Sequence, residues 1–209
     1  MKRVLTALMV FSMLLLGLTV GFTQEKGTVK CVGIYSETDA GSVSFRVGRG
    51  EWVVVQVGDT IPAEAEMRVN VGRDWIEVTP SDNPHAVYEI AGGESGVVLV
   101  KVADLLKRTA RSVSFPEGSP DPKYRDKLVV IEYLGRQIYM TRDGDTKDIK
   151  YGDVLDRTGK VTIIAINNTI TLMNASGEVT TVIGPLKFDV EQVLTNKKLY
   201  KYLNVPWPR

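Results

Sequence analysis

The sequence predicts a mainly β protein built as two tandem related β-sandwich or roll units, each ending in a short α-helix. Three observations carry that reading. The step Gly58-Asp59-Thr60-Ile61 recurs as Gly152-Asp153-Val154-Leu155, 94 residues later, and the same offset without a gap sets Ile76 and Val78 on Ile170 and Leu172. Apolar and polar residues alternate around both steps, the period of a strand with one covered face. Each copy then closes on helical spacing: Val102, Leu105 and Leu106 in the first, Val190, Val193 and Leu194 in the second, apolar at i, i+3 and i+4.

In chain order, residues 24–111 make the first unit. Strand candidates run from Thr28 to Tyr35, Ser42 to Val47 and Glu51 to Val57, punctuated by Gly41, Gly48 and Gly50. Gly58 and Asp59 form a tight turn, with the Asp carboxylate accepting backbone hydrogen bonds. Met67, Val69 and Val71 then alternate with Arg68 and Asn70; Gly72-Arg73-Asp74 reads as a turn, and Ile76 and Val78 alternate with Trp75, Glu77 and Thr79, so the pair is expected to be a hairpin. Pro80 to Pro84 is a loop and Ala86 to Ile90 a further strand. Residues 112–123, with Pro116, Pro120 and Pro122, are expected to be an extended linker.

The second unit, residues 124–203, opens with strands at Leu128 to Tyr133 and Gln137 to Thr141. Its Gly-Asp turn is Gly152-Asp153, and its hairpin is expected from Val161, Ile163 and Ala165 through Asn167-Asn168 to Thr169–Leu172. Ile164 and Ile166 make both faces of that strand apolar, which predicts fuller coverage than in the first unit. A C-terminal helix follows, and residues 204–209 form an extended tail because Pro206 and Pro208 flank Trp207.

Residues 1–23 read as a secretory signal peptide: a basic Lys2-Arg3, an apolar run from Val4 to Val20, then small residues at Gly21 and Thr23. Its removal leaves 24 basic against 25 acidic residues, so no global field attracts nucleic acid. Cys31 is the only cysteine, which excludes an intramolecular disulfide and predicts a buried, inert thiol. The expected location is the periplasm or cell envelope.

Motifs of chemistry are sparse. His85 is the single histidine, in a polar loop, and one His without cysteines does not build a zinc site. Asp143, Asp145 and Asp148 cluster around Gly144 and raise calcium, but without the alternating ligands and closing Glu of an EF-hand loop. There is no phosphate-binding loop, dinucleotide fingerprint or zincin helix, so no cofactor, metal or catalytic residue is expected. A glycan hydrolase with spatially paired carboxylates is the alternative, and a small-ligand or calcium-binding module another. Asn168 and Asn174 begin N-x-Ser/Thr sequons and read as turn residues. The tail offers the contact candidates: Tyr200, Tyr202 and Trp207, interleaved with lysines, suit a protein groove or a membrane surface.

The run Trp52, Val57-Gly58-Asp59-Thr60-Ile61-Pro62, Met67-Arg68-Val69 and Trp75-Ile76-Glu77-Val78 resembles the FecR-like periplasmic domain, and Tyr151 to Leu155 with Val161 to Leu172 resembles it again. The resemblance covers about a quarter of the chain. It implies a mainly β periplasmic domain that works through protein contacts, with no family catalytic residue to carry over. FecR proteins of iron signalling place this domain after a membrane helix and a cytoplasmic segment; here only Met1 to Arg3 precede the apolar run, so an envelope scaffold or adaptor is expected rather than a transmembrane signaller.

Overall fold

A computed structural model describes residues 27–36, 43–70, 74–93, 96–117 and 120–195. The protein is mainly β, as the sequence predicts, with two short helices and no barrel closure among these residues. Two strands lie at its centre, β1 (Val29–Tyr35) and β10 (Lys127–Leu134), which pair in parallel with Gly33 opposite Tyr133 and Ile34 opposite Leu134. On the far side of β1 come β6 (Trp75–Pro80), β7 (Ala86–Ala91) and β9 (Arg111–Ser112), and on the far side of β10 come β15 (Thr169–Met173) and β16 (Val179–Ile183). The short strands β4 (Thr60–Ile61) and β13 (Val154–Asp156) add to β1 and β10, giving one nine-stranded sheet across both halves of the chain.

Each half adds a four-stranded sheet. In the first, β3 (Val53–Val54), β2 (Val43–Val47), β5 (Ala65–Val69) and β8 (Val98–Lys101) lie in that order. In the second, the order is β12 (Asp145–Asp148), β11 (Ile138–Arg142), β14 (Lys160–Ile163) and β17 (Leu186–Asp189). Helix α1 (Val102–Leu105) follows β8 and α2 (Val190–Thr195) follows β17, each burying two apolar side chains of the expected spacing. Burying a valine or leucine fully is worth about 1.5–3 kcal/mol, which is what holds such short helices in place.

The expected hairpins do not form, and the reason is physical. Strands β5 and β6 belong to different sheets: β5 pairs with β2 and β8, β6 with β1 and β7. Their inward side chains, Met67 and Val69 from one and Ile76 and Val78 from the other, meet in a single core, so the chain arches across the sandwich. Strands β14 and β15 are separated in the same way. Alternation marks which face of a strand is covered but not the strand it pairs with. The expected strand at Glu51 to Val57 shortens to Val53–Val54, and Ile164 and Ile166 are exposed at 51% and 68% rather than covered.

The core is divided by β1, whose side chains serve both sides. Val29, Cys31 and Ile34 enter the first core, while Val32 enters the second beside Leu128, Val130 and Tyr133 of β10. Residues 112–123 are not a free spacer: Arg111–Ser112 pairs with β7, Val113 is buried in the second core, and Phe115 packs against it. A 3₁₀ turn at Pro122–Tyr124 follows, capped by Asp121, whose carboxylate accepts the Lys123 N–H at 2.9 Å.

Burial pushes the Cys31 thiol and the phenols of Tyr133 and Tyr151 above their ordinary ranges. A raised folded-state value means that the neutral group contributes stability below its unfolded value, and the contribution is lost as pH rises. We expect stability to be flat up to about pH 9 and then to fall by roughly 1.4 kcal/mol per pH unit for each group ionised only in the unfolded chain. Urea midpoints measured between pH 8 and 11 check this; a flat profile to pH 11 contradicts it.

Candidate functional site

Two features lie where the halves meet, a buried polar junction and an open groove. At the junction Glu77, fully buried on β6, accepts from the Arg111 guanidinium at 2.6 Å through Oε1 and from the Tyr151 backbone N–H at 2.9 Å through Oε2. Arg111 also donates to the Tyr151 carbonyl at 2.9 Å, and the Tyr151 hydroxyl donates to the Pro84 carbonyl at 3.1 Å. Nearby, Trp75 stacks on Tyr35 with centroids 3.7 Å apart and donates its indole N–H to the Tyr133 hydroxyl at 2.8 Å. Lys150 lies 4.9 Å from the Trp75 ring centre and pairs with Glu89 at 2.6 Å, and Lys30 pairs with Glu132 at 2.8 Å. These groups satisfy one another and fasten the two halves together.

The Gly-Asp steps lie at its border. Asp59 accepts the Gln56 N–H at 2.8 Å and Asp153 the Lys150 N–H at 3.0 Å, the side-chain turn expected of both. Around them Cys31 and Gly58 bond to Asp59 and Cys31, while Val130 and Gly152 bond to Asp153 and Val130 in the same pattern. The glycines differ in surroundings. A Cβ at Gly58 would meet open space, whereas one at Gly152 would fall 2.3 Å from Val113, so the second turn is packed against the segment that joins the halves.

The groove opens at the C-terminal ends of β1 and β10, with a volume of about 460 Å³. Ile34 and Ser36 come from the end of β1, Leu134 to Gln137 from the end of β10, Val54 and Val55 from the β3 edge, and Ala165 to Asn168 from the loop before β15. Val54, Leu134 and Ile166 expose 53%, 38% and 68% of their surface there. Among the described residues Arg136 is the one charged residue in the lining, and no carboxylate enters it.

Its second-half wall is stiffly held. The Gly135 N–H donates to the Ile34 carbonyl at 2.8 Å, continuing the β1–β10 pairing, and the Asn168 amide donates to the Arg136 carbonyl. Gly135 has φ 100°, and a Cβ there would fall 1.8 Å from Asn168 Oδ1, so only glycine fits beneath that amide. Gln137 and Asn167, both lining the groove, adopt φ 63° and 71°; left-handed backbone suits Asn but costs a residue such as Gln about 1 kcal/mol. Strain of this kind gathers at functional sites.

Other expected residues lie elsewhere. His85 is half-buried, its ring 5.6 Å from Phe115 and its Nδ1 3.2 Å from the Val113 carbonyl. Asp143 and Gly144, with φ 51° and 90°, turn the β11–β12 hairpin, and Asp145 and Asp148 stand exposed on its second strand. Asn174 caps the β15–β16 turn by accepting the Ser176 and Glu178 N–H groups, while Asn168 is buried under the groove. Among the described residues no group of three or more His, Cys, Asp or Glu is placed to hold a metal, and no helix is long and apolar enough to cross a membrane. Tyr200, Tyr202 and Trp207 lie outside the described residues. The sequence does not reveal the groove because its residues meet only in three dimensions; the one signal is Ile166, an apolar side chain on the second face of its segment.

Comparison with protein-family models, with curated proteins and with solved structures gives no match.

Proposed function

We propose that the chain is a non-catalytic protein-interaction module of the bacterial cell envelope, a scaffold or adaptor that seats a segment of an envelope or periplasmic protein in the groove between its halves. The observation that carries this reading is the groove's chemistry: exposed aliphatic side chains on three walls, polar amides between them and, among the described residues, no carboxylate. An exposed apolar concavity favours an apolar anchor side chain from a partner, with backbone groups satisfied by the surrounding amides. A glycan hydrolase needs paired carboxylates across a cleft, and the described residues of this lining supply none. The apolar run from Val4 to Val20 and the resemblance of both halves to the FecR-like domain support an envelope setting and work through protein contacts.

The test is a photo-crosslinking residue in place of Ile166 in the full chain, expressed in intact cells. We expect one discrete adduct with an envelope protein, at least tenfold weaker when Leu134→Asp is added, and none from a probe at exposed Lys160 on the opposite end of β14. Leu134 is a surface residue, so Leu134→Asp is expected to change stability by no more than about 0.5 kcal/mol. No adduct from Ile166, or the same adduct from both positions, contradicts the reading.

A further inference from the structure

Among the described residues β16 is one of the two edges of the nine-stranded sheet, and its backbone is poised for another strand. The hydrogen bonds from Gly184 N–H to the Asn168 carbonyl and from Asn174 N–H to the Glu178 carbonyl bracket the β15–β16 ladder at even positions of β16. By the alternation of antiparallel pairing, the N–H and C=O groups of Val179, Thr181 and Ile183 point away from β15. Val179 and Ile183 are exposed at 52% and 39%, and the strand carries no charge to guard its edge. By contrast β12, at the edge of a smaller sheet, consists of Asp145-Thr146-Lys147-Asp148.

The first half shows what covers the corresponding edge. Ile76 and Val78 of β6 stand opposite Ile90 and Tyr88; Ile170 and Leu172 of β15 stand opposite Val182 and Thr180. Val87 therefore corresponds to Val179. Val87 pairs with Arg111 of β9 and is 2% exposed. The chain that covers it leaves α1 and runs through Arg111-Ser112-Val113-Ser114-Phe115-Pro116. The chain that leaves α2 runs through Lys201-Tyr202-Leu203-Asn204-Val205-Pro206. The two match in kind at every position: basic, polar-capable, aliphatic, small polar, apolar, proline. The spacing agrees, because α2 is six residues long against four in α1, which turns the helix offset of 88 into 90.

We propose that residues 201–206, which lie outside the described structure, form a strand of the same chain on the open edge of β16. The register taken from β7 and β9 sets Lys201 opposite Val179 and Tyr202 opposite Glu178, with Leu203 and Val205 supplying the apolar side chains that Val113 and Phe115 supply in the first half. One difference follows from the sequence: Glu77, which holds Arg111, corresponds to Thr171, so Lys201 meets no buried carboxylate and keeps its ammonium in water. The tail is thereby part of the sheet, and Tyr202 is held against it rather than offered to a partner.

Glu178→Cys with Tyr202→Cys in the full chain tests this, because the corresponding Ala86–Ser112 pair is the non-hydrogen-bonded kind, whose side chains stand closest. The native Cys31 is buried and does not compete. We expect an intramolecular disulfide on air oxidation, forming at least tenfold faster than in Glu178→Cys with Lys201→Cys. No excess over that shifted pair overturns the proposal, and so does a disulfide-linked dimer, which would place the tail on a second copy. Amide exchange supplies a second reading: Val179 and Thr181 are expected to exchange at least tenfold more slowly in the full chain than in a chain ending at Tyr200, and equal rates overturn the proposal.

Discussion

In Arg111→Ala we expect the largest loss of stability from any single surface-reaching side chain, about 3–5 kcal/mol, because the substitution strips the cation from a fully buried carboxylate. Glu77 would keep the Tyr151 N–H and the Tyr133 hydroxyl but lose its only cation among the described residues. Arg111 is itself 42% exposed on its side chain, so as a surface ion pair it would be worth less than about 1 kcal/mol; the burial of its partner at 0% decides the larger figure. Glu77→Ala is expected to cost less, about 2–3 kcal/mol, because Arg111 can turn to water and the groups left without their acceptor, the Tyr151 N–H and the Tyr133 hydroxyl, are neutral. The double variant should be more stable than Arg111→Ala alone. Chemical denaturation of the three variants checks the order; additive losses would show that the pair is not coupled.

Gly33→Ala is the second large effect, and it acts through shape. A Cβ at Gly33 would fall 2.1 Å from the Tyr133 ring carbon Cε1, and this ring is buried and fastened by the Trp75 indole. The β1–β10 pairing fixes both backbones, so the ring has to move away, giving up that hydrogen bond and disturbing the Trp75–Tyr35 stack. Overpacking of this kind costs about 2–3 kcal/mol. Tyr133→Leu removes the obstructing ring, and in that background the cost of Gly33→Ala is expected to fall below about 1 kcal/mol. An undiminished cost would place the strain elsewhere than at the ring.

The elements of this fold were largely legible in the sequence, while their pairing was not. The strands at Val29–Tyr35, Val43–Val47, Ala65–Val69 and Lys127–Leu134 announce themselves by alternation or by dense β-branched content, and both helices by their apolar spacing. In the sequence the connections from β5 to β6 and from β14 to β15 look like hairpin turns because short polar stretches serve hairpins and sheet-to-sheet crossings alike; only the partner strands tell them apart. Glu77 reads as the solvent side of a half-buried strand, yet the other half of the chain covers it. Tyr133 and Gly33 look unrelated, since nothing in either segment says that β1 and β10 lie side by side. The groove inherits the same limit: Leu134, Ile166 and Val54 come from three segments, and Ile164 and Ile166, whose pattern predicts coverage, are exposed. The Gly-Asp steps were legible as turns because their hydrogen bonds are local.

The groove exists because the two halves are one body, joined through the parallel β1–β10 pair. Native-state hydrogen exchange across a urea series tests this most directly, residue by residue. We expect the slowest amides of β6, on the first-half side, and of β15, on the second, to merge into one opening with a common free energy and a common urea slope. If the β15 amides instead open well below those of β6, with a smaller slope of their own, the halves unfold independently and the shared sheet is not what holds them together.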